Sequence, residues 1–531
     1  VTDAARGRVV VGVSALLALC CVLLATTVPV LDEESYLDIA GQLDPLHPYS
    51  WWRPWQPWGT SREADAFVFA HPPLHLWWVY LVQQATPGLF GVRGLKLVAG
   101  APYALLFGWA VGDLARATTR RPLLAVLTWV SAPVVVLCLQ RGLMPDLGLA
   151  ALSTLAVACW RRAVGGSRSA AVIGGLALAG ASWIKYPALA LVPVLLLHGR
   201  KRTGSVMGGL RRTGPFWLSL LLPLVAGEAW LALLYGRIHP VEVLRRAGEI
   251  SRGAPAVRAL GLFTRLAFCA IPAALLLKGY RRHLVSGGII GALAVGLAWA
   301  PAGLDAGLAV RVWPWAALGG ALFIATLALM RAPGADRGPG ESGDTLLFGG
   351  WVIVVIAAVF FGHNFAAPRY LLPAVAPLAL LLTRAVDARH DGRRLLAAGV
   401  AVGVLASAGL TVAEHRFFLA ADTLAARVAA SWASPGAFTG EWSFRWRMRQ
   451  EGWSFYGPDT DSGTLVVAPL SSSPGPLPDV KEHVADYSFD RFGPRVVCAP
   501  CRVGFYGDTL GVLPVGWSDG PVEEATAWRI R

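Results

Sequence analysis

From Val9 to Ala413 the chain keeps returning to one pattern, apolar runs of about twenty residues joined by links that alternate between rich and poor in Arg and Lys. A helix of that length crosses about 30 Å of hydrocarbon. Inside lipid every backbone N–H and C=O must be bonded internally, so the pattern predicts a bundle of transmembrane helices. Composition agrees. Of 531 residues, 55% are hydrophobic and only 15% charged, and the mean hydropathy of +0.53 is too high for a soluble enzyme of this length. The formal net charge of +14 could suggest nucleic acid, but the bases are spread through short links, with no basic domain and no nucleic-acid motif. They read as positive-inside loops, and no nucleic-acid partner is expected.

The basic links set the topology. Arg116, Arg120 and Arg121 form one; Arg161, Arg162 and Arg168 the next; Arg200, Lys201, Arg202, Arg211 and Arg212 a third. Lys278, Arg281 and Arg282, then Arg331 and Arg337, then Arg389, Arg393 and Arg394 continue the series. If all face the cytoplasm with Arg6 and Arg8, about thirteen spans follow, near 9–30, 95–115, 122–140, 147–163, 171–184, 186–198, 215–235, 259–278, 284–301, 311–330, 346–362, 371–387 and 395–413. The N-terminus is then inside and the C-terminus outside. The first run is too long for a signal peptide and reads as a retained span. Two places strain the scheme: 171–198 is short for two crossings, and the external link 237–258 holds Arg237, Arg245, Arg246, Arg252 and Arg258.

Residues 1–413 therefore read as a membrane domain, with 31–94 as its first external loop and the amphipathic run His71 to Gln84 lying along the outer leaflet. From Glu414 the composition turns polar and rich in turn residues, and the runs TLVVAPL and RVVCAP read as strands after a helix around 441–452. Residues 414–531 are expected to form a small extracytoplasmic α/β domain. Cys20, Cys21, Cys138, Cys159 and Cys269 fall in apolar runs, where Cys acts as a small hydrophobe. Cys498-Ala-Pro-Cys501 has half the ligands of a structural zinc site, so a local disulfide or inert thiols is the plainer reading beside a redox role. The initial Val and the Ala, Arg, Gly and Leu bias point to a bacterial, GC-rich source and thus to the inner membrane.

With this topology, Asp32, Glu33, Glu34, His71, His75, Arg141, Asp146, Lys185, His363, Asn364, Arg369 and Tyr370 all fall at helix ends on the outer side. Each alone has a plain explanation. Acids favour a helix N-terminus, cations snorkel, and Trp51, Trp52, Trp55 and Trp58 suit an aromatic belt as well as a sugar face. Together they supply a carboxylate able to take a proton from a hydroxyl beside cations able to hold a phosphate. A divalent ion held by Asp32, Glu33, His71 or Asp146 would also suit the spacing, which does not require one.

Five segments carry a resemblance: DEESY after the first span, FAHPPLHLWW, QRGLMPDLGLAALSTLAVA, LALAGASWIKYPALALVPVLLL and APRYLLPAVAPLALLL. Their order and spacing resemble the GT-C superfamily of glycosyltransferases that use polyprenyl-phosphate sugars, specifically the bacterial relatives of protein O-mannosyltransferases and lipid A aminoarabinose transferases. The resemblance spans 1–200 and 345–385 and leaves the tail outside it. It implies that Asp32 is the catalytic carboxylate with Glu33 its neighbour, that His71, Pro72 and Pro73 line the external cavity, and that Asp146, Lys185 and Arg369 before Tyr370 belong to the site; Lys185, Arg369 or, from its position alone, Arg141 is expected to stabilise the lipid phosphate. Leu74-His75 stands where the mannosyltransferases carry Gly-Lys. The expectation is a membrane glycosyltransferase moving a sugar from a polyprenyl phosphate to an extracytoplasmic glycan, lipid or protein by inverting displacement, with Asp32 as base. The rivals are a secondary transporter, which would place its ionisable residues at the bilayer midplane within repeats, and a non-catalytic envelope-assembly protein.

Overall fold

The computed structural model describes residues 3–51, 71–86, 91–249, 254–274, 281–331, 343–363, 365–387, 389–457, 459–475, 477, 479, 481–489, 492–507 and 510–531. Trp52, Trp55, Trp58 and Asn364 lie outside them. The chain is mostly helical. In order come α1 Asp3–Val22, α2 Glu33–Gln42, α3 Leu74–Ala85, α4 Gly91–Thr118, α5 Pro122–Val130, α6 Pro133–Gln140, α7 Pro145–Val164 and α8 Arg168–Ile184. After a 3-10 turn at Tyr186–Ala190 follow α9 Leu191–Thr203, α10 Val206–Arg212, α11 Gly214–Tyr235, α12 His239–Glu249, α13 Pro255–Cys269 and α14 Ile271–Ala274. The bundle closes with α15 Arg281–Ala298, α16 Ala306–Arg331, α17 Asp344–Gly362, α18 Pro368–Asp387 and α19 Gly392–Ala430.

Local chemistry explains where these helices begin and stop. Pro122, Pro133, Pro145 and Pro255 open α5, α6, α7 and α13, at a position whose N–H has no helical partner in any case. The hydroxyls of Ser167 and Ser205 accept the N–H groups of Ala170 and Gly208 at 3.3 and 2.9 Å and cap α8 and α10. Gly204 and Gly236 end α9 and α11 with φ of 82° and 66°, a turn that costs a residue without Cβ little.

Among the described residues, α1, α4, α7, α11, α16, α17, α18 and α19 are the 8 helices long and apolar enough to cross a membrane, and α5 with α6, bent by 66°, makes up to 9. Where its residues are described, each of the thirteen expected spans falls largely on helix, yet not every one is a full crossing by this measure. The shortfall is local. The helix α8 has 17 residues, a rise of about 26 Å, and it stops because Lys185 is extended at φ −154° and ψ 126° ahead of Pro187. The second expected span of that pair is a 3-10 turn followed by α9. The same interruption turns Lys185 into the bundle.

The long helix α19 has 39 residues and runs straight through the expected boundary at 413/414, carrying buried Glu414 near its middle. Beyond it come β1 Ala437–Phe438, α20 Trp442–Gln450, β2 Ser454–Phe455, β3 Leu465–Pro469, β4 Lys481–Phe489, β5 Gly493–Arg495, β6 Val497–Cys498, β7 Val503–Gly504, β8 Gly516–Ser518 and β9 Glu523–Ile530. A five-stranded sheet has the order β2-β1-β3-β9-β4, with β1 parallel to β2 and β3 and the other pairs antiparallel. Residues of β9 alternate between buried and less buried, as one covered sheet face requires. That face meets Leu424 and Val428 of α19 and Phe444 and Met448 of α20. Two short hairpins, β5 with β8 and β6 with β7, lie on the bundle. Arg265 of α13 donates to the carbonyls of Gly504 and Gly511 at 2.5 and 2.7 Å. Val28, Val30 and Leu31 share an apolar cluster with Phe417, Val496, Phe505 and Tyr506, so the tail sits on the end of the bundle that carries Asp32. Cys498 and Cys501 are joined in a disulfide.

Candidate active site

Five helix ends meet at that end of the bundle: the entry to α2, the start of α7, the end of α8, the end of α17 and the start of α18. Asp32 stands at the N-cap of α2 but makes no capping hydrogen bond, and its side chain remains 39% exposed. The residue before it, buried Leu31, is held in left-handed backbone with φ 52°, an unfavourable conformation for a γ-branched side chain outside glycine's range. The turn aims the Asp32 carboxylate at Arg369, whose guanidinium donates to Oδ2 at 3.1 Å.

Arg369 in turn lies 3.9 Å, from Nε, to Oδ2 of Asp146, and Lys185 Nζ donates to Oδ1 of the same carboxylate at 2.7 Å. Asp146 and Lys185 are buried. Tyr370 holds the two cations from the side. Its ring centroid is 5.2 Å from Lys185 Nζ and 5.1 Å from the Arg369 Cζ, a cation–π arrangement, and its hydroxyl accepts from Arg369 at 3.3 Å. His363 stacks on Tyr370 with centroids 4.0 Å apart. Two carboxylates and two cations thus balance in charge, as a partly desolvated site requires. Behind them a cavity runs between α7, the 3-10 turn, α17 and α18. Lys185, Asp146, His363 and Tyr370 form its polar end, and Leu149, Leu191, Val355 and Val359 are among its apolar walls.

His71 is partly buried at the entry to α3 and accepts at its carbonyl from the Tyr49 hydroxyl at 3.2 Å. Burial, reinforced by the positive charge of Lys185, pushes its imidazole well below the ordinary value, while Asp146 opposes the shift. His75, bonded to the Leu143 carbonyl at 2.8 Å, is lowered by burial to about 4, and burial lowers His363 to about 3. All three rings are therefore neutral at neutral pH and leave the positive charge of the site to Lys185 and Arg369.

Two expected residues lie elsewhere. Glu33 points away from Asp32 into a fully buried ion pair with Lys96 of α4 at 2.6 Å. It also accepts the Val30 N–H at 2.9 Å, while Lys96 donates to the Thr26 hydroxyl at 2.6 Å and the Val28 carbonyl at 2.7 Å. Glu33 thus clamps the turn that carries Asp32 and does not face the cavity. Arg141 is paired with Glu414 of α19. That carboxylate also accepts from the Tyr506 hydroxyl at 2.6 Å, and the Arg141 guanidinium covers the Tyr506 ring at 4.9 Å, so Arg141 ties the bundle to the tail. Among the described residues no three His, Cys, Asp or Glu side chains are grouped as a metal ion would need. With Glu33 held by Lys96 and Asp146 by Lys185, the acids do not fit a shared divalent ion.

Sequence reasoning missed Lys96, Glu414 and Tyr506 as partners. It also missed Asp344 at the opposite end of the bundle, where a fully buried carboxylate accepts from Arg161 at 3.0 and 2.8 Å with Arg384 at 3.5 Å. Lys96 and Asp344 are charges inside or beside apolar runs, and such charges are tolerated only where a partner waits in the bundle. That was the available signal.

No family model and no curated protein matches the chain. Its structure is similar to two crystal structures of ArnT from Cupriavidus metallidurans. The apo form is 17% identical with a TM-score of 0.45, covering 88% of this chain and 93% of that one. The form bound to undecaprenyl phosphate is 14% identical with a TM-score of 0.43, covering 87% of this chain and 92% of that one.

Proposed function

We propose that this protein is an integral membrane glycosyltransferase that moves one sugar from a polyprenyl phosphate to a hydroxyl or similar nucleophile on an extracytoplasmic acceptor. The observation that carries the proposal is the convergence of Lys185 and Arg369 on Asp146 at the polar end of an apolar cavity, with the partly exposed carboxylate of Asp32 on the far side of Arg369. An apolar cavity with Lys185 at its polar end and Arg369 beside the same carboxylate suits an isoprenoid chain that ends in a phosphate. A carboxylate open to water suits an acceptor arriving from outside.

Asp32 takes the proton of the acceptor hydroxyl as its oxygen attacks the anomeric carbon from the side opposite the phosphate. The bond from that carbon to the phosphate oxygen breaks, and the electron pair leaves with the lipid phosphate, whose charge rises from −1 to −2. Lys185 and Arg369 stabilise that developing charge, and Asp146 and Tyr370 keep both cations in place before the donor arrives.

Two measurements test the reading. Native membranes containing the protein and given labelled polyprenyl-phosphate sugars should transfer label to an acceptor; uptake of label without transfer would favour a transporter. For sidedness, a phosphatase fused after Arg531 should be active and a cytoplasm-restricted reporter silent. The disulfide of Cys498 and Cys501 supports an oxidising compartment for the tail. The reverse reporter pattern would put the site on the wrong side of the membrane.

A further inference from the structure

Asp32, Glu33 and Glu34 are consecutive, yet they pair in three directions. Asp32 faces Arg369, Glu33 is clamped by Lys96, and Glu34 meets the tail. Glu34 Oε1 lies 3.2 Å from Nε of Arg445 on α20, with both side chains 1% exposed, and Arg449 of the same helix pairs with Asp38 at 2.7 Å. One turn face of α20 therefore grips one face of α2 at two points a helical turn apart. Trp446 adds an apolar contact, packing against the cluster of Leu37 and Ala40 from α2.

The tail fixes Arg445 independently of α2. Glu441 lies 3.2 Å from its Nη1, and the Phe455 ring lies under its guanidinium at 4.4 Å. Backbone strain marks both sides of the junction. Leu31 before α2 and Trp442 at the start of α20 hold φ of 52° and 66°, and both side chains belong to one buried apolar cluster. A bulky residue keeps such a conformation only where its surroundings over-determine it, and such residues gather at functional sites.

We infer that the tail is a working part of the catalytic site: α20, through Arg445 and Glu34, holds the short helix α2 in the position that aims Asp32, so that Glu34 and Arg445 are positioning residues for the base. The inference rests on the reading of Asp32 as that base. The helix α2 has only 10 residues; Glu33 and Lys96 clamp its first turn to the bundle, and Glu34 and Arg445 fix its next position to the tail. Asp32 stands at its very start, where any slide or roll of α2 moves the carboxylate directly. A displacement of about 1 Å in a reacting group can cost about a hundredfold in rate.

The test uses the full-length protein in proteoliposomes, with rates expressed per donor-binding molecule. Glu34→Gln and Arg445→Gln should each lower kcat by about tenfold to a hundredfold and leave the donor KM unchanged, because Lys185 follows α8, Arg369 lies on α18, and both are held by Asp146 of α7. Arg445→Lys keeps the buried charge but loses the planar fork, so it folds and gives a smaller loss. Arg447→Gln, on the same helix but paired with Asp422 of α19 at 2.9 Å, should leave kcat as in the wild type. The decisive variant combines Glu34→Gln with Asp32→Asn. If Glu34 acts through Asp32, its substitution costs nothing further once the base is gone. An equal loss in both backgrounds overturns the inference, as general damage would produce it. So does a wild-type kcat in Glu34→Gln and Arg445→Gln while Asp32→Asn is inactive, although the base assignment then stands. An active Asp32→Asn overturns both.

Discussion

Asp32→Asn is expected to retain donor binding and lower transfer by at least about a hundredfold, since general-base assistance is typically worth about 10²–10⁴ in rate. The substitution keeps size and shape and removes only the ability to take a proton. The site makes the test clean. Asp32 makes no capping bond to α2 and its neighbours Glu33 and Lys96 hold the turn without it, so the helix does not lose an anchor. Arg369 loses one carboxylate partner but keeps Asp146 and the Tyr370 hydroxyl. Single-turnover transfer at saturating donor measures the effect. A fall of less than about tenfold would assign the proton to another group.

Lys185→Ala is expected to weaken binding of polyprenyl phosphate by about tenfold to a hundredfold, the range of one charge-assisted hydrogen bond to an ionised group. Lys185 is buried at the polar end of the cavity, and its ammonium reaches Asp146 at 2.7 Å. Removal leaves Asp146 with Arg369 as its remaining cation, so the phosphate must be held by one guanidinium in place of two cations. Arg369→Ala should weaken binding comparably and also lower kcat, because Arg369 alone touches Asp32. Equilibrium binding of the lipid phosphate to purified protein reads both. Unchanged affinity in both variants would remove the phosphate from this end of the cavity.

The parts of this arrangement differ in how far the linear chain reveals them. The helices follow from local pattern: apolar length, proline at the first turn, glycine at the last. The convergence of Asp32, Asp146, Lys185, Arg369 and Tyr370 was accessible because topology alone puts five helix ends on one side, and a resemblance supplied the roles. Direction was not accessible. That Glu33 turns to Lys96 and Glu34 to Arg445 depends on the roll of α2, which is set by packing partners 63 and 411 positions further along the chain. Arg141 has the right type and position for a phosphate ligand, but Glu414, far along the chain, pairs with it. Among the described residues fewer helices than the thirteen expected spans are long and apolar enough to cross alone, one reason being an apolar run broken inside, as at Lys185. The boundary at 413/414 followed a change in composition, while the helix α19 continues through it because Glu414 is satisfied by Arg141 and Tyr506.

The central claim is a single displacement in which a base on the water side activates the acceptor while two cations receive the phosphate. Its most direct test is the anomeric configuration of the product. Donor of known configuration, one round of transfer by the purified protein, and assignment of the new glycosidic linkage by the proton coupling of the anomeric centre would suffice. Inversion is predicted, since under the proposed mechanism Asp32 removes a proton and forms no bond to the sugar. Net retention would require a covalent glycosyl intermediate or a second displacement, and would contradict the role of Asp32 as a base.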